Sequence, residues 1–380
     1  MRRAAKVALW GSAGALVYAQ AGYPLLLAAL ARRRPAAGPP PPRPEGEAPT
    51  VSLVVAAHRE AAVIADKVAN ARALDWPADR LEVIVACDGS PDDTPARARA
   101  AGADRVLELS RRGKVAAQDA AVRVARGDLL AFSDANARWE PGALRALAAR
   151  FADPAVGYAC GQVRFVSEGG TNQEGLYWRY EMAVRALESE LASVTAGNGA
   201  IYAVRREAYV EVDPVMGHDL KLPFTLVKDG WRAVYEPAAR ASEKMVPSIE
   251  GEFARKRRMM SHAWPIVLRG GLLDPRGYPP LYALMIASHR VLRYLGPFLH
   301  VVALLAGLAL SGRGGGRLHR AALAAQLALL AAAAAGGRVR ARPLLVARYY
   351  VLTTASIAAG LWDHARHGTA AGWAPPEGTR

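Results

Sequence analysis

An α/β fold with a mostly parallel sheet, set between apolar helices long enough to cross a membrane, is predicted by three observations in this 380-residue sequence. From Val51 onward, strand-like and helix-like runs alternate with short connections, the pattern of a parallel sheet with right-handed crossovers. Before that lies Val7 to Leu30, without a charge and close to the length needed to span a bilayer. After Pro265 the composition turns apolar again. A hydrophobic fraction of 52% and a net charge of +15 exclude a disordered tail or a disulfide-built miniprotein.

Arg2, Arg3 and Lys6 precede the first apolar segment and Arg32-Arg33-Arg34 follow it, so residues 1–34 read as an uncleaved transmembrane anchor. Residues 35–50, with Pro39-Pro40-Pro41-Pro42, read as an extended linker. A folded domain occupies 51–265, and 266–380 form a membrane region with two or three transmembrane helices. The arginines cluster near apolar segments, at 32–34, 255–258 and 338–342, which favours a lipid bilayer over nucleic acid as the partner. Cys87 and Cys160 lie in separate apolar runs and read as buried small hydrophobes, not a disulfide or zinc framework.

Within the domain, Val51 to Ala57 reads as a strand and Glu60 to Leu74 as a helix. Leu81 to Cys87 is the second strand, Asp92 to Ala101 a helix, Arg105 to Leu109 the third strand, Lys114 to Ala125 a helix, and Asp128 to Asp134 the fourth strand. In such a sheet all carboxyl ends face one way, and ligands bind at that edge. Four polar clusters therefore converge: His58-Arg59-Glu60, Asp88-Gly89-Ser90, Arg112-Gly113-Lys114 and Asp134-Ala135-Asn136. Alone, Asp134 reads as a turn residue. With three other strand ends delivering polar groups to the same edge, it becomes a candidate metal ligand.

The second half of the domain is less regular. Tyr177 to Leu191 reads as a helix whose aromatics pack in the core or at the membrane interface. Thr195 to Gly199 is a small-residue loop, Ala200 to Arg205 a strand, Leu220 to Lys228 a helix, Gly230 to Glu236 a short strand, and Arg255 to His262 a basic helix. Beyond Pro265, His289, Arg290 and Arg293 interrupt Leu281 to Leu310, so its first half is expected in the interface and its second half across the membrane. Ala321 to Ala335 is somewhat short for a span, and Leu344 to Leu361 is a further candidate.

The runs VSLVVAAHRE from Val51 to Glu60 and VIVACDGSPDDT from Val83 to Thr94, then Gly113-Lys114 and Ser133-Asp134-Ala135-Asn136, resemble the membrane-bound family 2 glycosyltransferases of GT-A fold, the superfamily of cellulose and hyaluronan synthases. The likeness covers roughly Val51 to Trp264. It implies that Ala56 and Glu60 close around the nucleoside of a nucleotide-diphosphate sugar, that Asp88 contacts its base or ribose, and that Lys114 reaches its phosphates. Asp134 would be the first carboxylate of the family's D-x-D metal motif, with Asn136 in place of the second and Mg²⁺ or Mn²⁺ as the cofactor. Asp219 would be the general base. Arg258 would occupy the Arg of a Q-x-x-R-W motif in which Arg255 and Met259 replace the Gln and the Trp.

The chemistry needs these residue types. The departing diphosphate concentrates negative charge, which a divalent cation on oxygen ligands and fixed cations such as Lys114 and Arg258 offset. A poorly nucleophilic acceptor hydroxyl needs a base such as Asp219. The resemblance thus implies an inverting hexosyltransferase acting on a membrane-associated saccharide or lipid-linked acceptor. The departures at Arg255 and Met259 leave single-sugar transfer as open as polymer synthesis. The rival expectations are a nucleotidyltransferase that makes a nucleotide sugar and a non-catalytic, membrane-anchored nucleotide-sugar-binding partner. Because nucleotide sugars are cytosolic, the expected location is the cell (inner) membrane with a cytoplasmic catalytic domain, and Arg32 to Arg34 inside agree. The basic loops 313–320 and 338–342 flank one segment, so the same rule does not orient it.

Overall fold

The computed structural model describes residues 2–33, 48–166, 173–244, 249–312 and 316–372. Arg34, most of the expected linker and Arg313 lie outside the described residues, as does the Tyr177 side chain.

Among the described residues, eight strands form one mixed sheet: β1 Val51–Ala57, β2 Leu81–Asp88, β3 Arg105–Leu109, β4 Leu129–Asp134, β5 Arg138–Trp139, β6 Val156–Val166, β7 Ile201–Arg205 and β8 Arg232–Lys244. Their order is β3-β2-β1-β4-β7-β6-β8-β5. The predicted parallel core is β3-β2-β1-β4. Every residue of β1 is buried, as expected for a central parallel strand covered on both faces. The registers set Ala56 beside Ala86 and Asp134, and Leu109 beside Asp88, so the carboxyl ends of these strands meet at one edge.

The other half departs from the sequence reading. β7 joins β4 antiparallel, and β6, β8 and β5 extend the sheet beyond it. Strand β5 was not anticipated, and β6 was foreshadowed only by the strand-like apolar run around Cys160. β6 carries Gly157 and Gly161, which serve close approach: a Cβ on Gly161 would lie 2.3 Å from the Ala239 carbonyl oxygen. β8 was expected to stop at Glu236, yet runs to Lys244. Its pairing with β6 jumps from Tyr235 opposite Cys160 to Arg240 opposite Gln162, so Pro237 sits in the irregularity and costs no ladder bond. Helix His218–Lys228 starts early enough to take Asp219 into its first turn, and the basic helix extends over Ile249–Leu268. Cys87 and Cys160 are buried free thiols.

Among the described residues, four helices are long and apolar enough to cross a membrane: Arg2–Ala31, Pro280–Leu310, Arg317–Ala335 and Arg342–His367. The first widens into a π-turn over Tyr18–Gly22, just before Pro24, whose missing N–H interrupts the ladder. The second widens over Ile286–Val291. The two widened turns face each other, with the Tyr18 and Ser288 hydroxyls 2.9 Å apart. The second of these helices contains all of Leu281 to Leu310. The helix is continuous, and His289 and Arg290 are buried because carboxylates of helix Gln173–Leu191 meet that face. Helix Arg342–His367 lies on Ile249–Leu268, where a Cβ on Gly360 would stand 2.6 Å from Met260 Cβ.

Candidate active site

Parallel strand ends build one wall of the site. At the end of β2, the buried Asp88 carboxylate accepts backbone N–H bonds from Arg112 at 2.6 Å and Gly113 at 3.0 Å. Its own carbonyl meets His58 Nδ1 at 2.8 Å, and His58 in turn contacts the Arg111 guanidinium. Gly113 adopts φ +100°, open to glycine and strained for other residues, and the chain's C-terminal segment crosses there. A Cβ on Gly113 would lie 2.2 Å from the Ala371 carbonyl oxygen. Glu60 is fully buried, its N–H held by Thr94 Oγ1 at 2.9 Å.

At the end of β4, Asp134 pairs with the Lys114 ammonium from the first residue of helix Lys114–Val124. Burial alone would lower this ammonium. The charge and hydrogen bond of Asp134, with the charges of Asp219 and Glu243, hold it above its ordinary value. Gly199, in the predicted small-residue loop, leaves room between the two sides: a Cβ there would stand 3.8 Å from both Lys114 Nζ and Asp219 Cβ. Asp219 itself is anchored by its carbonyl, which accepts the Gly197 N–H at 2.6 Å. Beside it, burial and then the Lys114 charge push His218 down to about 3, so the ring is neutral.

Lys114, Asp134, Asn136, Asp219 and Arg258 all line one cavity of about 510 Å³. Ala56, Glu60 and Asp88 are not on its wall; they are buried in and behind the strand ends. Arg258 stands out in the basic strip. Arg255 and Lys256 pair with Glu252 at 2.7 and 3.2 Å, and Arg257 with Asp363 at 2.5 Å. Among the described residues Arg258 makes no ion pair, and burial beside Arg255 lowers its guanidinium from its ordinary value. The cavity continues past it to Tyr294, Tyr349, Thr353 and Ile357 on two of the long apolar helices.

That far wall rests on a buried ionic cluster that sequence reasoning missed. Glu188, fully buried, accepts from the Tyr23 hydroxyl at 2.6 Å and the Thr195 N–H at 3.1 Å, and meets His289 Nδ1 at 2.7 Å. Glu181 pairs with Arg293, and Arg290 Nε donates to Thr195 Oγ1 at 2.8 Å. The usable signal was the three basic residues interrupting an apolar run, which can equally mark buried partners.

The oxygen donors suit a hard divalent cation: one carboxylate, Asp134, which already holds a cation in the Lys114 ammonium, and one amide oxygen, Asn136. Among the described residues no three acidic, His or Cys side chains gather into a ready-made cage, so substrate oxygens would have to complete the shell.

Residues 52–212 match the family model described as glycosyl transferase family 2. Among curated proteins, an N-acetylglucosaminyltransferase of Mesorhizobium japonicum is 28% identical over 70% of this chain and 67% of its own length. One from Rhizobium sp. is 26% identical over 69% of this chain and 62% of its own length. A beta-monoglucosyldiacylglycerol synthase of Synechocystis sp. is 33% identical over 40% of this chain and 33% of its own. The chain thus spans about two thirds or less of the length of these relatives. Among solved structures, a mannosyltransferase of Pyrobaculum calidifontis, determined with GDP-Man and Mn²⁺, superposes with a TM-score of 0.71 at 23% identity, covering 94% of this chain and 99% of that one. That likeness shows the shared GT-A fold.

Proposed function

We propose, from the match of residues 52–212 to the glycosyl transferase family 2 model, that the chain is a glycosyltransferase of that family and moves a hexose from a nucleotide-diphosphate sugar to a membrane-associated saccharide or lipid-linked acceptor, with inversion at the anomeric carbon. The observation that carries this reading is the single cavity that joins Lys114, Asp134, Asp219 and Arg258 to the flanks of apolar helices. A donor entering from the strand ends and an acceptor entering from the helices would meet at Asp219.

Asp134 and Asn136 would hold the divalent cation, which when bound neutralises the donor diphosphate. Lys114 turns from Asp134 toward the phosphates, and Arg258 adds a second fixed cation where the leaving group gains charge. Asp219 takes the proton of the acceptor hydroxyl. As that oxygen bonds to the anomeric carbon, the bond from this carbon to the diphosphate oxygen breaks, and the nucleoside diphosphate leaves with the electron pair. Asp88 supports the nucleoside end by fixing the Arg112-Gly113 turn, while Ala56 and Glu60 form the buried floor behind it. With the four apolar helices, the reading is an integral membrane enzyme of the cell (inner) membrane with its catalytic domain in the cytoplasm.

The test is a panel of nucleotide sugars incubated with detergent-solubilised full chain, Mg²⁺ or Mn²⁺ and lipid extracts, reading released nucleoside diphosphate and the anomeric configuration of the product. Release from one donor with an inverted product is expected. A retained configuration would overturn the direct displacement, and pyrophosphate release from a sugar phosphate and a nucleoside triphosphate would replace the transferase by a nucleotidyltransferase.

A further inference from the structure

The site has one carboxylate where its chemistry calls for more charge, and the sheet brings another beside it. Antiparallel pairing of β5 with β8 sets Arg138 opposite Ser242 and Trp139 opposite Ala241. The next step along that ladder brings Glu243 alongside Ala137, the neighbour of Asn136. Side chains alternate along a strand, so Glu243 follows Ala239 and Ala241 on the face that packs with Trp139. Both of those alanines are buried, and Glu243 lines the same cavity as Asp134 and Asn136.

Two lysines brace this edge from different helices. Lys67, in helix Ile64–Arg72, is buried beneath the Asp134–Ala137 turn and donates to the Ala137 carbonyl at 2.7 Å. Lys114, the first residue of helix Lys114–Val124, pairs with Asp134 and lines the same cavity as Glu243.

We propose that Glu243 is the second carboxylate of the divalent-cation site, supplying from β8 the negative charge that Asn136 does not. The proposal rests on the glycosyltransferase reading, because the cation is the one that binds with the donor diphosphate. Asn136 can give only a neutral oxygen, and Mg²⁺ or Mn²⁺ at a diphosphate takes one or two carboxylates with phosphate oxygens and water. With Glu243 the carboxylates come from two strand ends, β4 and β8, rather than from one short motif.

The test is Mn²⁺ titration of the detergent-solubilised full chain with GDP or UDP, reading free Mn²⁺ by electron paramagnetic resonance. Glu243→Gln, which keeps shape and removes charge, is expected to weaken Mn²⁺ binding at least tenfold. Asn136→Asp in that background is expected to restore it, since the missing charge returns at the neighbouring position. Wild-type Mn²⁺ affinity in Glu243→Gln overturns the assignment while leaving the glycosyltransferase reading intact. Loss that Asn136→Asp does not restore, with an unchanged thermal midpoint, also overturns it. A wild-type chain that binds no Mn²⁺ with either nucleotide overturns both.

Discussion

The donor wall and the membrane wall of the cavity are built by opposite means. On the donor side the polar groups sit at the ends of parallel strands, and backbone amides satisfy them: Asp88 needs only the N–H groups of Arg112 and Gly113. On the membrane side, Glu181 and Glu188 are buried against His289, Arg290 and Arg293, so charge is matched by charge between helices distant in sequence. Local backbone geometry can hold a small anion-binding edge by itself. Where the domain meets the apolar helices, these groups are costly to bury singly, and Glu188 and Glu181 each lie against opposite charge.

If the two walls have separate duties, the largest effect should come from the residue between them. Asp219→Asn is expected to reduce transfer about a hundredfold to ten-thousandfold while donor binding stays as in the wild type. Single-turnover transfer and calorimetric donor binding measure the two separately, and a parallel fall in both would dissolve the distinction. Next comes Glu188→Ala, which removes the carboxylate 2.7 Å from His289 and leaves that ring only Glu181, at 3.6 Å. It is expected to cost about 3–5 kcal/mol of stability, read as a lower thermal midpoint in detergent.

The smallest and most discriminating effect is the sign of the pH response. Burial raises Asp119, beneath the donor wall, to about 6 even though the Tyr209 hydroxyl donates to it at 2.5 Å. A carboxyl whose folded value lies above its ordinary 3.8 favours the protonated fold, so its contribution to stability falls as pH rises from there toward 6. Glu188 behaves oppositely. Burial opposes its ionisation, but His289 and Arg290 hold it at about 2, so its contribution is full above the ordinary 4.5 and is lost as pH falls toward 2. Melting curves should show Asp119→Asn removing about 1–3 kcal/mol of destabilisation between pH 4 and 6, with no comparable gain at pH 3. A gain at pH 3 instead would reverse the assignment of the two responses.

The same contrast governs what could be read in the sequence. The β1, β2 and β4 ends were legible because each motif is contiguous and the periodicity of its strand is intact, and even the Lys114–Asp134 pair spans only twenty residues. The second half of the sheet was not, because Gly157, Gly161 and Pro237 look like interruptions until a neighbouring strand explains them. Glu243 was hidden for that reason, lying past the expected end of its strand. The Glu188 cluster was hidden by distance: Tyr23 lies 165 residues away and His289 lies 101. No local pattern joins them, and three basic residues in an apolar run do not by themselves show that carboxylates of another helix meet them.

The hydrogen bond from Tyr23 to Glu188 changes how the first helix should be handled at the bench. Its outer face carries Val7, Val17 and Leu25, which are 65–70% exposed, whereas Tyr23 and Leu27 are buried in the main core of the folded domain. Trimming the chain at the linker to obtain a water-soluble fragment would remove part of that core together with a ligand of Glu188. A soluble variant is better sought by replacing the outward residues and keeping Tyr23 and Leu27.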